Sequence, residues 1–173
     1  MIQAVETSQR VLGEEHLDTL TSISNLASIY RKQGRWKEAE TLKVQVMETR
    51  RRVLGEEHPD TLTSMSNLAS TYRNQGRWKE AETIEVQAME TRQRVLGEEH
   101  PDTLTSMNNL AFTWNRQGKF AAAIELLERC NGLAAKVLGS SHHKTISSAS
   151  ALEEWKEKQK QGSTGLELHI DQL

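Results

Sequence analysis

The chain repeats itself with a period of 42 residues. The hexapeptide VLGEEH begins at Val11, again at Val53 and again at Val95, and a fourth copy begins at Val137 before it diverges. The first two copies of the 42-residue unit differ at only eight positions. A repeat of this length is a supersecondary unit that stacks on its neighbours. The chain must therefore fold as an array of similar units and not around one central core.

Each unit has the pattern of two helices. In the second unit, the first helix, called helix A, has an apolar face made of Leu62, Met65, Leu68, Ala69 and Tyr72. The second helix, called helix B, is predicted to have an apolar face made of Trp78, Ala81, Ile84, Ala88, Thr91 and Val95. A hairpin of this kind leaves an apolar face uncovered, so each copy becomes stable only against the next one.

The limits of these helices are marked by particular residues. Pro59 suits the first position of helix A, Asp60 suits its first turn, and Gly76 suits the position just beyond its end. Gly97 does the same for helix B. Small residues recur where two helices must approach closely, and these are Ala27, Ala39, Ala69, Ala81, Ala111 and Ala123.

The period divides the chain into six segments. They are a partial helix B at 1–12 that caps the N-terminal end, three repeats at 13–54, 55–96 and 97–138, a lone capping helix at 139–161 and a flexible tail at 162–173. Because the sequence begins in the middle of a helix B, two interpretations stay open. The chain is either a piece of a longer array or a small self-contained protein whose end helices serve as caps.

Composition excludes several classes of partner. A net charge of -2 gives no basic excess for binding phosphates, so nucleic acid is not expected as a partner. The sequence contains no apolar run of about 18 residues and no basic-then-apolar leader after Met1, so we expect no membrane partner. With a single cysteine, Cys130, the expectation is a cytoplasmic protein.

Short phrases in each unit carry a resemblance to a known family. Tetratricopeptide repeats have W-x2-L-G-x2-Y followed by A-x3-F, and the second unit has Met65, Leu68, Ala69, Tyr72 and Ala81 at corresponding positions. The 42-residue unit resembles the repeat of kinesin light chains, LGxxHPDTLxxxNNLAxxYxxQGxxxEAE. The wording HPDTLTSMxNLAxTYRxQGRWKEAE also resembles the repeat arrays of fungal receptor-like proteins of the NB-ARC type. The resemblance implies an all-α fold, a right-handed α-solenoid of tetratricopeptide helical hairpins.

Two features depart from the family pattern. The aromatic residue in the middle of helix B is replaced by Lys43 and Glu85, and the position is apolar again only at Leu127, so packing there must be arranged differently. The chain also has no G-x-x-x-x-G-K-S/T motif, so it does not include the nucleotide-binding module of the receptor proteins.

No set of residues predicts catalysis, a metal site or a cofactor. One histidine recurs in each unit, as His16, His58, His100 and His142. Equivalent positions in stacked hairpins lie about 10 Å or more apart, whereas the ligands of one metal ion lie about 2 Å from it. We interpret these histidines as polar residues at the start of helix A.

Other charged or reactive residues also have structural interpretations. The glutamate pairs that precede each helix A suit the positive end of a helix dipole. The run Arg50–Arg52 is interpreted as solvated charge at a helix C-terminus, with a phosphate-binding patch as the alternative. Cys130 occupies the position that Val46 and Ala88 hold in the other units, which predicts a core residue.

The candidate binding residues lie on helix A. Asn25, Asn67 and Asn109 occupy equivalent positions, which in a tetratricopeptide solenoid look into the concave groove. An asparagine amide both donates and accepts, so the resemblance to peptide-binding members implies that this row holds the backbone of an extended peptide. The alternative is that each asparagine bonds to a neighbouring helix.

Two further groups complete the predicted site. Arg31, Arg73 and Arg116 lie one turn further along helix A and suit an acidic side chain or a terminal carboxylate, or else are simply solvated. The third unit differs from the second on the same side, with Asn108, Phe112 and Asn115. Phe112 is interpreted either as an apolar anchor for a ligand or as cover for the fourth helix.

The sequence therefore predicts a non-catalytic module that binds a peptide or protein segment in the concave groove. A first alternative is a structural spacer or an array that self-associates through its exposed ends. A second alternative is the recognition part of a fungal nucleotide-binding receptor, or a kinesin-light-chain-like cargo adaptor. No enzymatic activity and no cofactor are predicted.

Overall fold

All regular structure in the described part of the chain is helical. The computed structural model describes the backbone of residues 2–170 and the side chains of residues 2–161 except Lys144. The helices are α1 (Ile2–Leu12), α2 (Leu17–Lys32), α3 (Trp36–Leu54), α4 (Pro59–Asn74), α5 (Trp78–Leu96), α6 (Pro101–Arg116), α7 (Phe120–Leu138) and α8 (His143–Ile170). The chain forms two compact units, unit 1 (Met1–Val95) and unit 2 (Leu96–Leu173).

The predicted helix limits are confirmed in the second repeat. Helix A is α4, which begins at Pro59, and the chain turns after it at Gly76 with a φ of +74°. Helix B is α5, which is followed by Gly97 with a φ of +88°. Glycine is favoured at both turns because a side chain would be strained in this left-handed region.

The histidine before each helix A caps that helix. The Nδ1 atoms of His16, His58 and His100 accept hydrogen bonds from the backbone N–H two residues later, at 3.2, 3.1 and 3.1 Å. Each bond satisfies one of the amide groups that the start of a helix leaves without an intrahelical partner. The recurring histidines are therefore structural elements of the repeat.

In unit 1, helix α3 packs against its own hairpin and against the next one. One apolar cluster joins α1, α2 and α3 and consists of Val5, Leu20, Ile23, Leu26 and Val46. A second cluster joins α3, α4 and α5 and consists of Met47, Leu62, Met65, Leu68 and Ala88. Since α3 takes part in both, the apolar face that the first hairpin leaves uncovered is covered by the second, as the repeat predicts.

In unit 2, the last helix covers the third hairpin. The apolar cluster consists of Ala111, Ala123, Ile124, Leu127, Leu152 and Trp155, from α6, α7 and α8. Helix α8 continues to Ile170, past Gly162, where the sequence predicts the start of a flexible tail. The two glycines in this part of the helix, Gly162 and Gly165, each cost only about 1 kcal/mol relative to alanine, so they do not force an end. The side chains after residue 161 and residues 171–173 lie outside the described residues.

The buried faces of the helices are partly as predicted. The six alanines expected at close helix contacts are completely buried. In α5, however, the buried residues are Ala81, Glu85, Ala88 and Arg92, whereas Val95 is 44% exposed. The predicted face of helix B is therefore wrong towards its C-terminal end. The charged residues Glu85 and Arg92 occupy this buried face in place of the predicted apolar ones.

Candidate functional site

The three predicted asparagines lie at equivalent places on the A helices. Asn25 is on α2 and Asn67 on α4, both in unit 1, and Asn109 is on α6 in unit 2. Asn25 is exposed and the other two are half-buried. Within the described residues, the side-chain amides of Asn25 and Asn67 make no hydrogen bond to a neighbouring helix. Their donors and acceptors are therefore available to a ligand.

The arginines one turn further along have unequal surroundings. The Nη1 atom of Arg73 lies 3.2 Å from Oε1 of Glu85, a buried carboxylate on α5. In the first repeat, Arg31 is half-buried and the residue equivalent to that carboxylate is Lys43. Arg116, on α6, is exposed. The arginine of the second repeat is thus neutralised by its own hairpin, whereas that of the first repeat lies near another cation.

Lys43 is buried beneath helix A of the first repeat, although its residue type favours the surface. It is 4% exposed, and its Nζ donates hydrogen bonds to the backbone carbonyl of Ser24 at 3.2 Å and to the hydroxyls of Ser24 and Ser28 at 3.3 and 3.1 Å. Burial, followed by the positive charges of Arg31 and Arg50, lowers the pKa of this ammonium group to about 8. The first hairpin therefore holds a concentrated positive charge beneath its A helix.

Arg50 is the second buried cation of the first repeat. It is 6% exposed and donates to the Ser64 hydroxyl at 2.9 Å and to the Thr21 hydroxyl at 3.1 Å. The interpretation of Arg50–Arg52 as solvated charge is therefore wrong at Arg50. It is correct at Arg52, which is exposed and lies 2.8 Å from the carboxylate of Glu15. The signal for burial was periodicity, since position 50 shares one helix face with 39, 43 and 46.

The predicted residues of the third repeat lie on α6. The ring of Phe112 meets the ring of Trp155 on α8 edge to face, with centroids 4.9 Å apart, and Phe112 is 37% exposed. This contact agrees with the interpretation that Phe112 covers the fourth helix, and it also leaves part of the ring accessible to a ligand. Asn108 and Asn115 are half-buried.

A cavity of about 210 Å³ lies in unit 2 between α6, α7 and α8. We call it the repeat-3 cavity. Its walls include Leu104, Asn108, Ala134, Leu138 and Ser148. It therefore contains one of the predicted binding residues, Asn108, together with several apolar side chains that sequence reasoning did not connect with a site.

The described residues offer little to catalytic or metal chemistry. Among them, no group of three or more histidine, cysteine, aspartate or glutamate side chains is arranged to hold a metal ion. Cys130 is buried as predicted, and its thiol donates to the Leu104 carbonyl at 3.2 Å. Burial raises the pKa of this thiol to about 11. Since the thiolate is the nucleophile, the group is unreactive at neutral pH. No helix among the described residues is both long enough and apolar enough for a membrane crossing.

Comparison with known proteins gives consistent matches. The family model described as tetratricopeptide repeat matches residues 1–43, 21–93 and 67–130. Comparison with curated protein sequences returns no match. Among solved structures, the nearly identical TPR-like repeats of a proposed kinesin light chain from Podosopora anserina are 32% identical, with a TM-score of 0.79 over 97% of this chain and 80% of that one. A variant form of those repeats is 31% identical, with a TM-score of 0.81 over 98% of this chain and 80% of that one.

A more distant structure shares the same architecture. BtubC (BKLC) from P. vanneervenii is 21% identical, with a TM-score of 0.68 over 80% of this chain and 57% of that one. At this level of identity, the likeness concerns the fold alone.

Proposed function

Because the chain belongs to the tetratricopeptide repeat family, we propose that it is a non-catalytic module that binds a peptide or protein segment along the groove lined by its A helices. The family match confirms the predicted fold class, an all-α solenoid of tetratricopeptide hairpins, and the relatives confirm the resemblance to kinesin light chain repeats. Repeats of this family generally bind protein partners on extended surfaces. A kinesin-light-chain-like adaptor is the more specific form of the proposal, supported by the same relatives.

The observation that carries the proposal is the row of equivalent asparagines. The amides of Asn25 and Asn67 are accessible and make no bond to a neighbouring helix within the described residues. An extended peptide presents unpaired N–H and C=O groups, and an asparagine amide pairs with both. The row therefore binds a peptide backbone with little dependence on its side chains. Arg31 lies in the last turn of α2 and adds a preference for a nearby acidic side chain.

The proposal is tested with a peptide selected for binding from a library of unstructured sequences. Asn25 and Asn67 are replaced together by alanine, because Asn109 already has an interaction partner within the chain, and the affinity is measured by calorimetry. Two lost hydrogen bonds at about 1 kcal/mol each predict roughly thirtyfold weaker binding. The matched control is Asn74→Ala, which removes an exposed amide at the end of α4. Helicity and melting temperature should be unchanged in both proteins, and an unchanged affinity of the Asn25 and Asn67 double variant would refute the role of these asparagines.

A second candidate function is self-association through an exposed end. Helix α1 exposes three large apolar side chains, Ile2 at 54%, Val11 at 69% and Leu12 at 45%. Contiguous exposed apolar surface is a common feature of interaction surfaces, and Val11 and Leu12 are neighbours at the end of this helix. Light scattering distinguishes the two functions, because self-association predicts a mass that increases with concentration and falls back when Val11 is replaced by a polar residue.

A further inference from the structure

The repeat-3 cavity lies where the other two repeats have an arginine. Ala134 on α7 lies one period of 42 residues after Arg92 and two periods after Arg50. Both arginines are buried, at 7% and 6% exposure. The third repeat therefore keeps the place for an arginine side chain but replaces the arginine itself with alanine, and the wall of the cavity at this point is Ala134.

The first repeat shows how such a guanidinium group is held. The Nη1 atom of Arg50 donates to the Ser64 hydroxyl at 2.9 Å and to the Asp60 carbonyl at 3.4 Å, and Nη2 donates to the Thr21 hydroxyl at 3.1 Å. At the same time, the Ser64 hydroxyl donates its own proton to the Asp60 carbonyl at 2.9 Å. The proton of the Ser64 hydroxyl is therefore engaged by the Asp60 carbonyl, and its oxygen accepts the hydrogen bond from the guanidinium.

The third repeat retains both hydroxyl groups. Two periods after Thr21 and Ser64 come Thr105 and Ser148, and both line the cavity. The hydroxyl of Thr105 donates to the Pro101 carbonyl at 2.9 Å. The Ser148 hydroxyl, on α8, has two acceptors for its proton, Oδ1 of Asn131 and the Thr145 carbonyl, each at 3.1 Å. Their protons are therefore engaged, as at Ser64 in the first pair of repeats, and each oxygen can accept a bond from a group inside the cavity.

The second repeat supplies a third correspondence. There the Nη1 atom of Arg92 donates to the Ser66 hydroxyl at 2.8 Å. The equivalent residue in the third repeat is Asn108, which also lines the cavity and whose amide oxygen is an acceptor for the same kind of donor. The apolar residues Leu104, Ala134 and Leu138 lie along the walls and suit the methylene stem of an arginine.

The cavity is large enough and open enough for an occupant. Its volume of about 210 Å³ is well above the ~15 Å³ that a single water needs. Thr105 and His143 line it and are themselves exposed, which gives a side chain of another molecule a way in. A guanidinium group presents several donors in one plane, whereas an ammonium group is a compact point charge. The three acceptors around the cavity, Thr105, Asn108 and Ser148, therefore favour arginine over lysine.

From these correspondences, we propose that the repeat-3 cavity receives an arginine side chain of a bound protein segment. The bound arginine replaces the one that the third repeat lacks, with its guanidinium on Thr105, Asn108 and Ser148. The inference rests on the proposed function insofar as a protein segment brings the arginine. It does not depend on the asparagine row, so the two ideas can fail separately.

The test uses a small probe that contains only the side chain and two blocking groups, N-acetyl-arginine methylamide. Binding to the full chain is followed by NMR, with a ¹³C label on the alanine methyl groups so that Ala134 reports directly on the cavity. We expect saturable binding with a shift of the Ala134 methyl signal. The neutral citrulline and norleucine analogues should bind at least fivefold more weakly. Equal binding of norleucine would show an apolar pocket and overturn the proposal, as would the absence of a shift at Ala134 with the arginine probe.

Two variants make the result specific. Ala134→Arg restores the residue of the other repeats, so it should fill the cavity and reduce probe binding at least tenfold. Ala134→Met fills the same space without donors and should have the same effect, which protects the test if the arginine variant does not fold. Thr105→Val removes one acceptor at nearly constant shape and should weaken binding about fivefold. Undiminished binding to the filled variants would place the probe elsewhere and refute the proposal.

Discussion

The first and third hairpins place different chemistry at the same positions of helix B. In the first hairpin these positions hold Lys43 and Arg50, and in the third they hold Leu127 and Ala134. All four residues are buried, with exposures of 4%, 6%, 0% and 4%. The helices that carry them, α3 and α7, have the same length of 19 residues. One backbone therefore holds either two cations or two apolar residues at the same sites.

Helix A explains how both solutions are stable. In the first repeat, the hydroxyl groups of Ser24 and Ser28 accept hydrogen bonds from Lys43. The residues equivalent to these serines in the third repeat are Asn108 and Phe112. A buried cation thus occurs with acceptors beside it, and an apolar residue occurs where helix A has a phenylalanine in place of one of these serines. The comparison teaches that the repeat tolerates a buried cation at this position only where helix A supplies acceptors.

The largest effect is expected from moving the charge to the third repeat. Leu127→Lys buries an ammonium group at a completely buried position where Phe112 replaces an acceptor of the first repeat. Burial of a cation with too few partners predicts a loss of about 4 kcal/mol in the free energy of unfolding. Urea unfolding measures it, and Leu127→Met is the control for shape, with an expected loss of about 1 kcal/mol.

A double variant tests the role of helix A in that result. Phe112→Ser restores the hydroxyl of the first repeat, and in combination with Leu127→Lys it should recover about 1 to 2 kcal/mol relative to the sum of the two single variants. If Leu127→Lys costs no more than Leu127→Met, or if the double variant is simply additive, the acceptors do not decide where charge is tolerated.

The second repeat gives the next largest effect, because its buried charge has the opposite sign. Glu85→Ala removes the carboxylate that lies 3.2 Å from Arg73 and leaves that half-buried arginine without this partner. Breaking such a pair predicts a loss of about 3 kcal/mol. The matched variant in the first repeat is Lys43→Ala, which removes a cation near other cations and should cost less. Equal losses in urea unfolding would contradict the distinction between the two hairpins.

The charge of the first repeat also predicts a dependence on pH. Lys43 has a pKa of about 8 in the folded chain against an ordinary value of 10.5. Between these values the unfolded chain binds more protons, so the free energy of unfolding rises with pH from about 8 to 10.5, by on the order of 3 kcal/mol. Below pH 8 both states are protonated and the contribution is constant.

Comparison with a variant that lacks Lys43 isolates the contribution of this residue to the free energy of unfolding. Lys43→Met should remove the rise, so the stability difference between the parent chain and the variant should change over that pH range and stay constant below it. Cys130 acts in the opposite direction, because its raised pKa of about 11 makes the folded chain hold its proton longer. Since both proteins contain Cys130, its effect cancels. Parallel curves from pH 7 to 10 would show that Lys43 is not held in the described environment.

The parts of this structure that could be predicted from sequence are the local ones. Helix limits depend on proline, glycine and capping residues such as Pro59 and Gly76, and the fold follows from the period. The buried charges are not predictable from residue type, because lysine and arginine ordinarily favour the surface, and only periodicity indicates their burial. Ala39, Lys43, Val46 and Arg50 lie on one helix face, and a strict reading of that spacing would have placed Lys43 inside.

In the candidate site, too, the features that follow from the repeat are predictable and the contacts between helices are not. The equivalence of Asn25 and Asn67 follows from the repeat, and their accessibility agrees with their position away from the packing face. The pairing of Arg73 with Glu85 depends on how two helices approach each other, which a single sequence does not specify. The repeat-3 cavity is visible in the sequence only as an alanine, Ala134, where two other repeats have arginine.

The smallest predicted effect concerns a feature that the compared hairpins share. His16 caps helix A of the first repeat and His100 caps that of the third, with nearly equal bonds of 3.2 and 3.1 Å. Replacement of either histidine by alanine should therefore cost the same, about 1 kcal/mol, and replacement by asparagine should retain most of the stability, since asparagine is also a good N-cap. Thermal unfolding of the two alanine variants measures the difference. Unequal losses would mean that the hairpins differ in stability for reasons other than their buried charge. The larger effects at Leu127 and Glu85 would then have to be corrected for this difference in stability before they are assigned to charge.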